Sequence, residues 1–431
     1  MGKRVRFRIP LKDGMGTENP PIFMNPIAAN FPSMNVRVNS NRIEKRPGYS
    51  TDRTISPTPQ IVSRFNNNDG TENTVFVNEY DLMTRETASG GTYSYKTETG
   101  DYNSGVASIS GDTVTFKAGT TLQTDGVAAN DYFILDADHD SDSEPDTNWA
   151  KIDSVDSELQ LTLTANYTGT TGSWPGSEKN SLIRKVYSLP TDERWDFAIV
   201  DDKFCFTNGN VDVQYWDGSG YASALDSTNA KKARYCIEYA NRLLLADVEI
   251  SSSREPWTLQ WSKEGDPTNL TDSTAGSVDF LDTMGKIVGL GKVGKNIIVY
   301  KEDSIIVGDR TGNATSPLVF PHTVPGVRIN APYSIVAYDR YNAFLGEDDF
   351  YIFDGNTPMP IGDKIRYTFF DITEPDARKN VFALNFPKDG NLIWFADTKW
   401  GQIGFVFDYK NKCFYTYEFA DTITGGGDGN G

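Results

Sequence analysis

The chain has 431 residues, with 59 Asp and Glu against 41 Lys and Arg and a net charge of −18. This length exceeds one ordinary hydrophobic core, so two or three domains are expected. No run of about 18 apolar residues is present, which predicts no membrane span, and the acidic balance disfavours a protein that grips nucleic-acid phosphates.

Residues 1–58 are predicted to form an extended N-terminal arm. Prolines recur from Pro10 to Pro57 and prevent a continuous helix or central strand. The arm is too apolar for free solvent, so it should lie along its own chain or a neighbour. The first residues lack the apolar core of a secretory signal. They carry a basic cluster that is either a solvated end or a dock for an acidic partner: Lys3, Arg4, Arg6 and Arg8.

Residues 59–99 are predicted to form a first propeller blade, and residues 100–185 a small inserted β domain. Two strand-like runs, 60–66 and 74–80, flank the polar turn 67–70. Gly, Ser and Thr then dominate 89–104, which is typical of a linker. Strand and turn signals resume at Val106, continue to about Tyr167 and end in a second linker-like stretch. An insertion between two linkers explains this order.

Residues 186–420 are predicted to supply the remaining blades of a β-propeller of about six blades. In Ser334–Ile365, short apolar runs alternate with turn residues, and Asp354-Gly355 suits a tight turn. Similar runs recur with centres 40 to 55 residues apart, near the blade repeat of roughly 40–50 residues. The centres are Phe204, Leu244, Val299, Leu345 and Phe395. A large β-sandwich is the competing all-β architecture. The tail, residues 421–431, is Gly-rich and predicted to be flexible.

The sequence predicts no catalytic residue, no metal site and no cofactor. The acidic stretch Asp136–Asp146 resembles a calcium loop in spacing, but Ser141 and Thr147 replace the required Gly and Glu. It is interpreted as an acidic surface loop, with a weak cation site as the alternative. The only histidines, His139 and His322, make a histidine-dependent triad or zinc site unfavourable.

Three further patterns are assigned structural roles. The three cysteines lie in apolar strand contexts and are interpreted as buried small hydrophobic residues: Cys205, Cys236 and Cys413. The Gly-rich segment 285–294 lacks the βαβ context of a dinucleotide site and is interpreted as a blade junction. Asp217-Gly218 and Asp354-Gly355 are interpreted as turns.

The order of several short motifs resembles the tail hub, or nozzle, β-propellers of short-tailed bacteriophages, the packaged-DNA stabilisation proteins. The motifs span most of the chain. They are Arg46-Pro47-Gly48, Tyr239–Leu243, Trp261-Ser262, Gly265-Asp266-Pro267, Ile287–Leu290, Lys301–Ile305, Gly326, Pro332–Ile335, Asp354-Gly355 and Pro360-Ile361. The chain departs from the family in lacking a large C-terminal extension, which leaves attachment of fibres or spikes open.

This resemblance implies a structural protein of the virion tail rather than an enzyme, assembled in the host cytoplasm. It would form or close the DNA conduit below the portal, retain packaged DNA and take part in genome ejection. The implied partners are further copies in a ring, expected to be a hexamer, a head–tail adaptor protein, a tail fibre or spike, and a tail needle or tip protein. Duplex DNA would pass without specific binding.

Two other functions remain open from the residues alone. One is a receptor- or glycan-binding propeller at the tail tip, and the other is a glycan-cleaving propeller enzyme, since carboxylates are plentiful. The negative charge also has two interpretations. It either lines a conduit that repels DNA or maintains solubility.

Overall fold

The computed structural model describes residues 59–426 with gaps at 68–69, 79–80, 87–92, 98–100, 125–126, 130, 136–149, 169–178, 185–186, 188, 190–192, 226–230 and 420–421. Before residue 59 it describes four short strands: β1 (Met15–Gly16), β2 (Ala29–Asn30), β3 (Val36–Asn39) and β4 (Arg42–Lys45). The acidic stretch Asp136–Asp146 and the basic cluster at Lys3 to Arg8 lie outside the described residues. The chain forms two compact units, one of residues 1–51 and 234–423 (unit 1) and one of residues 52–233 and 424–431 (unit 2).

Unit 2 contains two four-stranded antiparallel sheets with each strand paired to the next in sequence. Blade 1 consists of β5 (Ile61–Asn66), β6 (Glu72–Val77), β7 (Leu82–Glu86) and β8 (Tyr93–Tyr95). Six strands that form a closed barrel follow blade 1 in the sequence. They are β9 (Asp101–Ser110), β10 (Thr113–Phe116), β11 (Tyr132–Leu135), β12 (Ala150–Ser157), β13 (Gln160–Leu163) and β14 (Lys179–Arg184). Blade 2 consists of β15 (Asp196–Val200), β16 (Lys203–Thr207), β17 (Gln214–Trp216) and β18 (Ser223–Ala224).

Unit 1 contains four more sheets of the same design. Blade 3 consists of β19 (Lys232–Tyr239), β20 (Arg242–Ile250), β21 (Ser253–Trp261) and β22 (Gly276–Asp279). Blade 4 consists of β23 (Ile287–Val293), β24 (Asn296–Lys301), β25 (Ser304–Arg310) and β26 (Leu318–Pro325). Blade 5 consists of β27 (Val336–Tyr338), β28 (Tyr341–Leu345), β29 (Phe350–Phe353) and β30 (Pro358–Pro360). Blade 6 consists of β31 (Phe382–Phe386), β32 (Asn391–Thr398), β33 (Gly401–Asp408) and β34 (Cys413–Glu418).

Six four-stranded meanders among the described residues confirm the predicted all-β propeller and its blade count. The β-sandwich alternative is wrong, because each blade is a separate four-stranded sheet, and within each unit apolar clusters join consecutive blades. One apolar cluster joins blades 3 and 4, another joins blades 4 and 5, and a third joins blades 5 and 6. The third cluster contains Trp394, which is fully buried against Phe350. Blades 1 and 2 share a core in unit 2.

A short helix interrupts the all-β pattern between blades 5 and 6. The helix α1 (Arg366–Ile372) is followed by a 3-10 helix at Pro375–Asn380, and a second 3-10 helix, Pro332–Ser334, precedes blade 5. The sequence analysis did not predict α1. Its buried residues, Phe369 and Ile372, join the core of blades 5 and 6, so this packing selects the helix.

Residues 101–184 contain the six strands of a closed barrel, β9–β14, in the order β10-β13-β12-β11-β14-β9. The stretch 89–104, predicted to be a linker, contains β8 and the first four residues of β9. The core of the barrel contains Phe133, whose ring packs in T-shaped arrangements with the rings of Phe116 and Tyr167. Strands β9 and β14 pair with Asp101 opposite Arg184. Residues paired across antiparallel strands have Cα atoms about 4.5–5.5 Å apart. The chain therefore enters and leaves the barrel at neighbouring points.

The two ends of the chain show ordered contacts within their own units. Strands β1 and β3 of the arm lie close to β34 in unit 1. At the other end, the Ile423 N–H donates to the Gln402 side chain at 2.7 Å, also in unit 1. In unit 2 the Thr424 hydroxyl donates to the Pro59 carbonyl at 3.1 Å. Part of the tail that composition predicts to be flexible is therefore hydrogen-bonded.

We predict that residues 101–184 can be replaced by a short Gly-Ser bridge without loss of the propeller. The barrel has its own core, and Asp101 lies opposite Arg184, so the bridge closes a small gap. Circular dichroism of the excised and full chains should show cooperative melting in both. Loss of a cooperative transition on excision would show that the barrel stabilises the blades.

Candidate functional site

The most distinctive surface of unit 1 is the end that carries the connections between blades. In a meander of antiparallel strands, the turn between strands two and three lies at the same end as the linker to the next blade. We call this end the linker face. It comprises linkers 280–286, 326–335 and 361–381 together with turns 302–303, 346–349 and 399–400.

One backbone contact recurs along the linker face. In each case a linker carbonyl accepts the N–H of the turn in the blade that follows. Lys286 accepts from Glu302 at 3.1 Å, Arg328 from Glu347 at 3.0 Å, and Ile372 from Lys399 at 3.0 Å. Blades 4, 5 and 6 are thus attached to their incoming linkers in the same way.

Ion pairs reinforce these contacts. Lys286 pairs with Glu302 at 3.8 Å. The Arg328 guanidinium pairs with Asp303 at 3.1 Å and with Glu347 at 3.2 Å, joining the turns of blades 4 and 5. These pairs raise the pKa of Arg328, chiefly through the hydrogen bond from its guanidinium to Glu347. These five charged side chains therefore neutralise one another locally.

A buried carboxylate holds the start of the 361–381 linker. One oxygen of Asp349 accepts the N–H groups of Phe350 at 2.7 Å and Gly362 at 2.8 Å, and the other pairs with Arg366 at 3.3 Å. Burial raises the pKa of the Asp349 carboxyl, while these N–H donors and the guanidinium oppose the rise. A side chain at Gly362 would collide with the carboxylate, so this position requires glycine.

A buried amine holds the first linker in a similar manner. The Lys301 Nζ donates to the carbonyl oxygens of Phe280 and Thr283, both at 2.6 Å. Burial lowers the pKa of Lys301, and the nearby carboxylates of Asp282 and Glu302 oppose this effect. A strand residue of blade 4 thereby fixes the linker that precedes it.

The four most exposed large apolar side chains among the described residues all lie on the linker face. Leu281 is 66% exposed, Met284 80%, Tyr367 63% and Trp400 66%. The first two project from the linker that Lys301 holds. Tyr367 lies in the first turn of α1. Trp400 adjoins Lys399, whose Nζ donates to the Asp371 carbonyl near the end of that helix. Rigid supports thus present an apolar surface to solvent.

At the opposite end of blade 3, a buried guanidinium shapes a long loop. Arg242 is 2% exposed and donates to the carbonyls of Ser262 at 2.7 Å and Thr274 at 3.0 Å. Burial lowers its pKa, and the partly exposed Glu264, 3.5 Å away, opposes this effect. The Ser262 hydroxyl accepts the Leu243 N–H at 3.0 Å. These contacts close the loop 262–275 onto the sheet.

The residues that the sequence analysis singled out take structural positions. His322 lies on β26, the outer strand of blade 4, and is exposed. Gly218 and Gly355 both have positive φ, which confirms the two Asp-Gly turns. The Gly-rich segment 285–294 is not a junction throughout. Its larger part is strand β23, where a side chain at Gly291 would collide with Asn342 of the next blade.

The linker face was not predicted from the sequence. Its apolar residues are isolated in sequence and lie in segments that read as ordinary turns. The sequence also does not show which charged residues form ion pairs when the partners are far apart in the chain. Arg328 and Glu347, for example, are 19 positions apart. In the part of the chain that the structure describes, no group of His, Cys, Asp and Glu is arranged to hold a metal ion. Nor is any described helix long and apolar enough to cross a membrane.

Comparison with known proteins identifies only distantly similar solved structures. No protein-family model matches the chain, and no curated protein matches it. Similar solved structures include the computationally designed Ika8 protein, with 11% identity, a TM-score of 0.35, and coverage of 85% of this chain and 87% of that one. The β-propeller domain of Cps50 (Swd1) from Myceliophteria thermophila shares 11% identity at a TM-score of 0.35, covering 84% and 99%.

A further similar structure is virginiamycin B lyase from Staphylococcus aureus, with 11% identity, a TM-score of 0.33, and coverage of 80% of this chain and 94% of that chain. At such scores these similarities carry no argument about activity. Function has to be inferred from the residues and their arrangement.

We predict that Asp349→Ala destabilises the protein by about 2–4 kcal/mol, because two buried N–H groups and Arg366 lose their acceptor. Asp349→Asn should cost less, since its amide oxygen can still accept. The matched control is Asp348→Ala, which removes an exposed neighbour bonded to the Tyr351 hydroxyl. Urea unfolding measures all three. Equal stability of the Asp349→Ala and Asp348→Ala variants would contradict the role of Asp349.

We also predict that the three thiols are unreactive in the folded protein. Cys205, Cys236 and Cys413 are all buried, as the sequence indicated, and burial raises the pKa of Cys205 to about 12. A thiolate is the reacting form, so labelling with a disulfide reagent at pH 8 should be negligible. Unfolding in denaturant should expose three reactive thiols. Rapid labelling of the native protein would show that a blade opens.

Proposed function

We propose that this chain is a structural component of a bacteriophage tail, a hub or nozzle that forms or closes the DNA conduit below the portal and adaptor. It would retain packaged DNA, take part in genome ejection, and contact further copies of itself, the head–tail adaptor, a fibre or spike, and the needle or tip protein. The observation that carries the proposal is the structural role of the motif residues that resemble the hub family.

Those motif residues hold blade connections. Arg242 and Ser262, from two of the motifs, bond to each other and close the loop of blade 3. Lys301, from a third motif, holds the linker between blades 3 and 4. Ser334, from a fourth, accepts the Leu345 N–H through its hydroxyl, and its carbonyl accepts the Trp394 indole N–H at 3.0 Å. Motif residues that make such structural contacts support a structural role for the protein, which is the role that the resemblance implies.

The distribution of charge supports a conduit that does not bind DNA. Unit 2 contains 30 Asp and Glu against 13 Lys and Arg, whereas unit 1 contains 29 against 28. Residues 101–184, which include the barrel, account for 14 of the acidic residues and only 4 of the basic ones. Such concentrated negative charge repels a duplex that carries one charge per 1.7 Å of axis. Solubility alone would not require the charge to be concentrated in one unit.

A receptor- or glycan-binding propeller is the second candidate. Exposed Trp400 and Tyr367, at one end of blade 6 and on α1, favour it, because flat aromatic rings are common where proteins bind partners. A glycan-cleaving enzyme has less support. The buried carboxylates of Asp247, Asp349 and Asp408 are engaged by guanidinium groups or by hydrogen bonds from the chain itself.

Imaging of the native particle tests the proposal. Antibody-labelled or reconstructed virions should show the protein in the tail, around the channel and below the portal. Localisation to the tail tip alone would favour the receptor-binding candidate, and absence from the particle would refute the proposal.

We further predict that the isolated protein does not shift duplex DNA at about 150 mM salt, where the Debye length is about 8 Å. The reason is the strong negative charge of unit 2. A matched variant with three barrel carboxylates neutralised, Asp112→Asn, Asp153→Asn and Asp156→Asn, should also remain unbound, because removing acid creates no phosphate contact. Salt-sensitive DNA binding by the unaltered protein would contradict a repelling conduit.

A further inference from the structure

The linker face has the composition of a protein interface. Trp, Tyr, Met and Arg are enriched at such interfaces relative to the remaining surface. The linker face exposes Trp400, Tyr367 and Met284, and it also carries Arg328 and Arg366. Three of its cations, Lys286, Arg328 and Arg366, are already paired with carboxylates of the chain, so covering these pairs leaves none of the three cations without a partner.

The backbone segments that carry these apolar residues are held in place before the surface contacts a partner. Lys301 fixes the linker of Leu281 and Met284, and Asp349 fixes the start of α1 with Tyr367. The Lys399 N–H, bonded to the Ile372 carbonyl, fixes the turn of Trp400. Backbone segments that are already held lose little conformational entropy on association, which favours affinity.

Charge selects the partner. Two copies of a chain with a net charge of −18 repel each other. Contact through unit 2 would bring together two units with an excess of 17 acidic residues each. In unit 1, residues 234–423 have an excess of seven acidic residues, and the basic arm 1–51 offsets six of them. A surface that contacts an identical copy of itself must avoid excess charge of one sign, whereas a different protein can supply the opposite charge. The near-neutral unit 1 therefore favours self-contact.

From these observations we propose that the linker face is a contact surface for a second copy of this chain, with Trp400 and Met284 as its apolar anchors. The proposal deepens the proposed function and rests on it in one respect: a ring-forming tail component must contact its own copies. The surface on the second copy also lies within unit 1, because unit 2 would add repulsion.

Analytical ultracentrifugation of the full chain provides the test, over concentrations from about 1 to about 100 μM. The variants are Trp400→Glu and Met284→Glu, each of which puts a charge at an exposed anchor. Each should raise the dissociation constant of self-association at least about tenfold, as expected for an interface anchor. The control is Tyr221→Glu, an apolar residue of unit 2 that is 49% exposed, which should leave self-association unchanged.

Thermal melting of each variant separates loss of contact from loss of fold, and both anchor variants should melt like the unaltered chain because their side chains are exposed. Self-association that the anchor substitutions do not weaken would overturn the linker-face proposal, while tail localisation would still support the hub. A chain that stays monomeric at all concentrations would overturn it too. If the anchor variants then failed to enter the particle, the partner would be a foreign protein.

Discussion

The attachment of each linker to the turn of the following blade is the constraint on which the rest of unit 1 depends. A four-stranded sheet with apolar faces has to bury those faces against another element. The recurring hydrogen bond from turn N–H to linker carbonyl sets where each sheet meets the next. Once blades 3 to 6 stand at these positions, their apolar faces enclose three successive clusters. Buried Lys301 and Asp349 add polar contacts that only this arrangement satisfies.

The same contacts connect the fold to the function proposed. The residues that keep linkers in place also hold the backbone segments that carry four exposed apolar side chains. Unit 1 is nearly neutral, while unit 2 holds most of the negative charge. One chain can thus offer an apolar surface for assembly and an acidic surface that keeps DNA at a distance. Placing these properties in separate units avoids the conflict between self-association and repulsion.

Much of the fold was predictable because β-strand signals are local. Alternating apolar residues, Asp-Gly turns and the spacing of the centres from Phe204 to Phe395 predicted a propeller of about six blades. The buried cysteines were predictable for the same reason. Helix α1 was missed because its seven residues lack a capping side chain and a full amphipathic period, and its buried residues are stabilised by blades 5 and 6.

By itself, the sequence determined the strand pattern of the blades, the Asp-Gly turns and the excess of negative charge, since all of these depend on neighbouring residues or on composition. Only the tertiary structure decided which side chains meet across blades. Arg328 joins two turns that are more than 40 residues apart. Such proximity follows from how the blades stack, and no local rule of sequence contains it.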